Sequence, residues 1–252
     1  MEKPFQNDTG RLNNVEILSP SQQKILQMAE QIRSVGCPTL ADYLSDPAND
    51  ERFKFKKIVV AGPPCSGKSC FNTGIKGIIK SIPNAPYPFV FTACPDGEGA
   101  WFQETMNVNT ELAARLKADY KSKFTPEFVQ TRSDAVKKLG NESSPLNFID
   151  IGGMVTPENA KICEGANSAI ILAGEAAIDA ELPAEWKKFF DELKIPVIAE
   201  VYSDYNGKED LVIGTQEDRV FRGSIHHLER GEDLSQRPTL NALAKYILTF
   251  EK

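Results

Sequence analysis

Several features that define other classes of protein are scarce in this sequence of 252 residues. It has two histidines, and its five cysteines form no C-x-x-C pair, which argues against a histidine-centred metal site, a zinc-binding cysteine motif and a disulfide framework. No segment approaches the ~18 uninterrupted apolar residues of a membrane-spanning helix, and the amino terminus lacks the apolar region of a signal peptide. These absences predict a cytoplasmic protein in a reducing compartment, without a membrane partner.

Positive charge is also in short supply. The chain has 29 basic and 35 acidic residues, a net charge of −6, which disfavours binding through broad attraction to nucleic acid or anionic lipid. The contents of 41% apolar and 25% charged residues match those of ordinary globular proteins. We therefore expect a globular chain with no strong nucleic-acid signal and enough residues for one large domain with an extension.

Two regions differ in their pattern. Residues 1–52 begin with a polar arm and continue with helical signals, so we predict an N-terminal arm and helical extension there. In residues 53–252 short apolar runs alternate with helical periods, which is typical of a mainly parallel sheet covered by helices. The predicted strands are 57–61, 89–93, 146–151, 169–173 and 197–201, with one or two more within 211–214 and 219–225; the predicted helices are 68–81, 111–121, 126–139, 157–164, 183–193 and 238–250. This order predicts a three-layer α/β fold.

A glycine-rich loop follows the first predicted strand. The letters GPPCSGKS at 62–69 fit the P-loop pattern G-x-x-x-x-G-K-[ST], between a strand and a helix as that motif requires. Its backbone N–H groups and the helix dipole would hold phosphate oxygens, while Lys68 reaches the β- and γ-phosphates. The predicted nucleotide-binding residues are Gly62, Pro63, Pro64, Cys65, Ser66, Gly67, Lys68, Ser69, Cys70 and, from a later segment, Gly153. The fold class is therefore predicted to be a P-loop NTPase fold.

Asp150 offers the second acidic group that a P-loop metal site needs, because it ends an apolar predicted strand. We predict that Ser69 and Asp150 hold Mg²⁺. The letters DIGG at 150–153 also read D-x-x-G, a spacing by which some nucleotide switches bring a backbone N–H to the γ-phosphate. A plain strand-end turn with two glycines is the alternative interpretation.

An acidic, glycine-rich loop follows the second predicted strand at the edge of the sheet where ligands bind in α/β proteins. Its Asp96 or Glu98 could orient the attacking water, reach the metal through water or hold an acceptor hydroxyl; a solvated turn is the alternative. With Lys68 and Asp150 they are the predicted catalytic residues, and we expect truncation of Asp96 or Glu98 to lower turnover more than binding. An arginine would assist phosphoryl transfer, but no spacing selects one among Arg132, Arg219, Arg222, Arg230 and Arg237.

The expected ligands are ATP and Mg²⁺. ATP is favoured over GTP because the chain has no Asn-Lys-x-Asp element after the fifth predicted strand. Cys65 and Cys70 would make binding sensitive to oxidation, unless they are packed, inert thiols. The leading hypothesis is a Mg-dependent ATPase acting as a regulatory or assembly module. The alternatives are a small-molecule or nucleotide kinase, with the helices over 111–121 and 126–139 as an acceptor lid, and a non-catalytic, nucleotide-gated interaction protein.

Four segments together resemble a known group: the P-loop, CPDGEG at 94–99, DIGG at 150–153 and LERG at 228–231. Over about residues 55 to 250 the chain resembles the AAA-type P-loop ATPase domain associated with CRISPR ring-nuclease proteins. The resemblance implies an ATP-binding module, with Gly67, Lys68, Ser69 and Asp150 at its nucleotide site, linked to cyclic oligoadenylate signalling in type III CRISPR defence. The expected partners are a nucleotide and either further copies of the chain, as a homo-oligomer, or a CRISPR-associated protein. Fused members of the group carry a small β-rich ring-cleaving module; only about fifty helix-prone residues precede the P-loop here, so we do not expect this chain to cleave the ring alone.

Overall fold

The computed structural model describes residues 55–95, 105, 108–120, 124–140, 145–174, 181–215 and 217–250. The predicted extension over 1–52 lies outside the described residues, as do Asp96 and Glu98 of the acidic loop. The elements are, in chain order, β1 (Lys56–Ala61), α1 (Lys68–Ser81), β2 (Pro88–Thr92), α2 (Thr110–Tyr120), α3 (Pro126–Lys138), β3 (Leu146–Asp150), α4 (Pro157–Cys163), β4 (Ser168–Gly174), α5 (Glu181–Glu192), β5 (Val197–Asp204), β6 (Leu211–Thr215), β7 (Phe221–His226) and α6 (Pro238–Thr249).

A seven-stranded sheet forms the centre of the molecule, in the order β2-β3-β1-β4-β5-β7-β6. Six of its strands run parallel, and β6 pairs antiparallel with β7 at one edge. The predicted mainly parallel sheet is confirmed, and both of the late candidate strands form. The largest difference between a predicted and an observed strand end is in β5. This strand continues to Asp204 because its pairing with β7 continues to the pair Asp204 and His226.

Helices cover both faces of the sheet, as required by the β1 side chains, which point alternately to the two faces and are buried on both. Ile58 and Val60 pack into the core that faces α1 and α6, whereas Val59 and Ala61 pack into the core that faces α3, α4 and α5. All four side chains are fully buried. A strand buried on both faces is characteristic of a parallel sheet between two helical layers, so the predicted three-layer architecture is confirmed.

The strand order places the segments of interest at one edge of the sheet. β1, which leads into the P-loop, pairs on one side with β3 and on the other with β4. Val60 is opposite Asp150 in the β1–β3 register, and Thr92 of β2 is opposite Asp150 on the other side of β3. Because these strands are parallel, the loops that follow them emerge together. Among the described residues, no helix has the length and apolar content needed to cross a membrane.

Candidate functional site

The loop between β1 and α1 has the backbone geometry of a phosphate-binding loop. Gly62 has a φ of 146° and Gly67 a φ of 83°, both in the region that favours glycine. A Cβ on Gly62 would lie 1.9 Å from the carbonyl oxygen of Leu172 in β4, so no larger residue fits there. Cys65 also has a positive φ, of 62°. The loop is therefore wound tightly against the neighbouring strand before the helix begins.

The first turn of α1 has the properties of an anion site. Gly67 is its N-cap and contributes no side-chain cap, and the turn carries no acidic residue. The N–H groups at the start of a helix need acceptors from elsewhere, and the helix dipole gives that end partial positive charge. The end of α1 is thus suited to hold phosphate oxygens.

Lys68 bridges the loop that it follows. Its Nζ donates hydrogen bonds to the carbonyl oxygens of Gly62 and Pro63, each at 2.9 Å. Ser66 lies within the same loop and is 1% exposed, and its Oγ has no hydrogen-bond partner among the described residues. The loop therefore closes around the cationic group of Lys68. It also contains the buried hydroxyl of Ser66, which has no hydrogen-bond partner among the described residues.

A cavity of about 830 Å³ opens above this loop. Its volume is within the usual range of ligand pockets. The lining includes P-loop residues 64–70 and the segment 150–154, with Phe124, Asn159, Leu228 and Arg230. Of the predicted site residues, Pro64 to Cys70, Asp150 and Gly153 line one cavity; Gly62 and Pro63 contribute instead the carbonyls that hold Lys68.

Asp150 and Ser69, the predicted metal ligands, both line this cavity. Asp150 is the last residue of β3 and is 8% exposed. Among the described residues, no group of three histidine, cysteine, aspartate or glutamate side chains could hold a metal ion without other ligands. A hydroxyl and a carboxylate suit Mg²⁺, which usually takes one or two protein oxygens and completes its shell with water and phosphate.

The segment after Asp150 lies directly against the P-loop. A Cβ on Gly153 would come 2.7 Å from the backbone nitrogen of Pro64. Asn159 of α4 holds the same segment in place. Its Nδ2 donates hydrogen bonds to the carbonyl oxygens of Gly152 at 3.2 Å and Met154 at 2.7 Å. The D-x-x-G segment and the P-loop therefore form one continuous surface.

Arg230 is the site residue that sequence reasoning did not select. It lies on the loop after β7 and lines the cavity, next to Leu228, whose side chain would be 3.1 Å from a Cβ on Gly67. The other arginines have different surroundings. Arg132 packs over the Phe128 ring at 4.9 Å, and Arg222 and Arg237 pair with the carboxylates of Asp218 and Glu232 at 2.6 and 2.7 Å. The LERG segment, which carries part of the family resemblance, was the one sequence signal for Arg230.

The thiols near the site differ in accessibility. Cys65 is exposed in the P-loop, while Cys70 and Cys94 are buried and also line the cavity. Burial raises the pKa of Cys70, which keeps it in the less reactive thiol form. The prediction of oxidation sensitivity is thus favoured at Cys65 and disfavoured at Cys70.

No protein-family model matches the chain, and no curated protein matches its sequence. Among solved structures, one of a protein described as a plasmid partition protein from Borrelia burgdorferi B31, bound to AMPPNP, has a TM-score of 0.50 and 12% identity, over 77% of this chain and 97% of that chain. A nucleotide-binding protein from Archaeoglobus fulgidus in complex with ADP has a TM-score of 0.45 and 11% identity, over 78% and 89%. An unliganded sugar kinase from Janibacter has a TM-score of 0.32 and 11% identity, over 78% and 99%.

The first of these structures, together with the sheet and the loop described above, shows that the chain has a P-loop NTPase-like fold. At 12% identity the likeness concerns the fold alone.

Proposed function

We propose that this protein binds ATP with Mg²⁺ at the cavity above the P-loop and hydrolyses it slowly, as a regulatory or assembly module. One observation carries the proposal: Lys68, the uncapped start of α1 and the carboxylate of Asp150 all border the same cavity. A cation and a helix N-terminus attract phosphate, and a carboxylate in the same cavity attracts a divalent metal. A simple surface turn would not account for a lysine, an uncapped helix start and a carboxylate in one cavity.

The P-loop would hold the phosphates. Backbone N–H groups at the start of α1 donate to phosphate oxygens, and Lys68 places its positive charge beside the β- and γ-phosphates. Gly62 and Pro63 keep Lys68 at the loop through their carbonyls. Arg230, which lines the same cavity, would add a second cation near the bound polyphosphate.

Ser69 and Asp150 are the residues that would hold the metal. The hydroxyl of Ser69 and the carboxylate of Asp150 would bind Mg²⁺ directly or through water. When bound, the metal neutralises charge on the phosphate oxygens. The predicted roles of Asp96 and Glu98 in orienting the attacking water stay predictions.

The solved structure of the partition protein supports the proposal that this chain binds a nucleotide, because that protein shares this fold over 97% of its length and is bound to an ATP analogue. The preference for ATP over GTP rests on the sequence, which lacks an Asn-Lys-x-Asp element. A competitive titration of labelled ATP with GTP tests it, and tighter binding of GTP would overturn the preference.

A nucleotide-gated interaction protein is the second candidate. The contact between Gly153 and Pro64 favours it, because a ligand that moves the P-loop must also move the D-x-x-G segment. It predicts binding without meaningful turnover and a partner, or further copies of the chain, that associates in one nucleotide state. A kinase predicts instead a phosphorylated product in a screen of nucleosides, nucleotides and sugars.

The link to cyclic oligoadenylate signalling in type III CRISPR defence is a narrower proposal. Its support is the resemblance of the four sequence segments, and the compared structures add none. Binding of a cyclic oligoadenylate, or of a CRISPR-associated protein, to the purified chain is the measurement that tests it.

Titration of Mg-AMPPNP into the variants K68A and K80A tests the nucleotide site. Both lysines lie on α1, but Lys80 is exposed and sits over the Tyr87 ring at 5.8 Å, away from the loop. Loss of a charged hydrogen-bond donor should weaken binding about 10- to 100-fold in K68A and leave K80A at the wild-type value. Circular dichroism establishes that both are folded. Wild-type affinity in a folded K68A protein would overturn the assignment of the site.

A further inference from the structure

Asn159 is a buried asparagine whose side chain serves another segment of the chain. It lies in the first turn of α4, is 1% exposed and lines the cavity. Its backbone N–H donates to the Thr156 side chain at 3.2 Å, which caps the helix. Its Nδ2 donates hydrogen bonds back along the chain, to the carbonyl oxygens of Gly152 and Met154. The side chain therefore ties α4 to the D-x-x-G segment.

The bond to Gly152 orients a particular N–H group. The carbonyl of Gly152 and the N–H of Gly153 belong to one planar peptide unit, and in a trans peptide the two point in opposite directions; the described chain has no cis peptide bond. Holding the oxygen of Gly152 toward Asn159 thus turns the N–H of Gly153 away from Asn159. Gly153 is the residue that touches Pro64 of the P-loop.

The segment has little freedom to adjust by itself. A Cβ on Gly152 would lie 3.2 Å from Nδ2 of Asn159 and 3.4 Å from the ring of Phe124, so the backbone is enclosed there. The Oδ1 of Asn159 is also buried and has no hydrogen-bond partner among the described residues. Since a buried acceptor without a donor is unfavourable, a rearrangement of residues 152–154 that supplies an N–H to Oδ1 would be stabilised.

We propose that Asn159 is a positioning residue that makes the site distinguish a nucleoside triphosphate from a diphosphate and couples that difference to α4. This inference rests on the proposed nucleotide site. Asn159 orients the peptide whose N–H, at Gly153, meets the γ-phosphate. When the γ-phosphate draws that N–H, the carbonyls of Gly152 and Met154 move, and Asn159 moves the start of α4 with them.

The variant N159L tests the positioning role, because leucine matches asparagine in shape but donates no hydrogen bond. We expect its affinity for Mg-AMPPNP to fall about tenfold, a loss on the scale of the two lost hydrogen bonds, while its affinity for Mg-ADP stays within about twofold. A merely structural role would lower thermal stability and leave the ratio of the two affinities unchanged. Measuring that ratio therefore separates the two.

Asn241 provides a matched control. Its Nδ2 also donates to two backbone carbonyls before its own helix, those of Ser235 at 2.8 Å and Arg237 at 2.9 Å, but it does not line the cavity. The variant N241L removes the same chemical groups, and its ratio of AMPPNP to ADP affinity should equal that of the wild type. An equal shift in both variants would overturn the proposal.

Hydrogen exchange on the wild-type chain keeps the inference testable if N159L does not fold. AMPPNP should change deuterium uptake at 152–163 and ADP should not, while both nucleotides protect 62–70. Protection of 62–70 with the same uptake at 152–163 for both nucleotides would overturn the role of Asn159 and leave the nucleotide site standing. No protection of 62–70 by either nucleotide would overturn the nucleotide site, and the inference with it.

Discussion

Gly153 and Pro64 are in direct contact across the site: a Cβ on Gly153 would lie 2.7 Å from the nitrogen of Pro64 and 3.0 Å from its Cα. The 2.7 Å approach is closer than real Cβ atoms show, the 3.0 Å approach is tighter than nearly all real contacts, and both atoms approached belong to the backbone of the P-loop. The absence of a side chain at 153 is therefore a condition for the D-x-x-G segment to lie on the loop.

The variant G153A should weaken nucleotide binding, because the added methyl group forces the segment away from Pro64. We expect about a tenfold loss of Mg-AMPPNP affinity, on the scale of a lost hydrogen bond to a charged group. G77A is the matched control: a Cβ there meets nothing within 4 Å, and alanine in a helix interior should stabilise α1 by about 0.5–1 kcal/mol. Calorimetric titration and thermal melting check both; an unaffected G153A protein would show that the contact is not needed for binding.

Arg230 should matter for the nucleotide because, of the five arginines considered from the sequence, it is the one that lines the cavity. R230A should raise the dissociation constant for Mg-ATP about tenfold, the expected effect of a lost charge-assisted contact. Arg115 is an exposed residue of α2, and R115A serves as the control with the same change of net charge. Equal affinities in the two variants would place Arg230 outside the binding contacts.

The cysteines should differ strongly in reactivity. Cys65 is exposed on the P-loop, whereas burial raises the pKa of Cys163 to about 12 and keeps it in the unreactive thiol form near neutral pH. Brief alkylation followed by peptide mapping should modify Cys65 first, with Mg-ATP slowing that reaction, and Cys163 only after unfolding. Rapid labelling of Cys163 in the folded protein would contradict this.

A buried carboxylate ties the sheet to α5. Glu200 of β5 is 7% exposed and pairs with Arg222 of β7 at 3.5 Å and with the half-exposed Lys187 of α5 at 3.0 Å. R222M should lower the free energy of unfolding by about 2–3 kcal/mol, since it leaves a buried charge less compensated. K187M should cost under about 1 kcal/mol, because exposed pairs contribute little. Urea denaturation measures both, and the reverse order would be the contrary result.

Asp218 gives a pH dependence with a definite sign. Its hydrogen bonds to Arg222 hold its pKa at about 2, below the ordinary aspartate value of 3.8. The stabilisation from this group is complete above its unfolded pKa and is lost as the pH falls from about 4 toward 2. D218N should therefore flatten the decline of stability as the pH falls from about 4 toward 2. A wild-type slope in D218N, measured by denaturation at each pH, would refute this assignment.

Local pattern was enough to predict most of the elements. The predicted helix over 68–81 matches α1 at both ends, because a P-loop glycine begins it and its apolar side chains repeat at helical spacing. The strands leading to Gly62 and Asp150 were equally readable, since both are short apolar runs before glycine-containing turns. The predicted phosphate-binding loop depended on contiguous residues, which is why sequence alone could place it.

Long-range strand pairing brings distant residues together at the site. The identity of a strand's neighbours does not follow from its own sequence, and the pairing of β3 with β1 is what brings Asp150 and Gly153 to the P-loop. Asn159 had no local signal that set it apart from other asparagines, and for Arg230 the LERG segment was the one signal. Their importance comes from the positions in space at which β7 ends and α4 begins. Local sequence pattern was therefore sufficient to predict the helices, the strands and the phosphate-binding loop. The residues that line the cavity depend on the order of the strands, because long-range packing, and not local periodicity, selects which loops lie side by side.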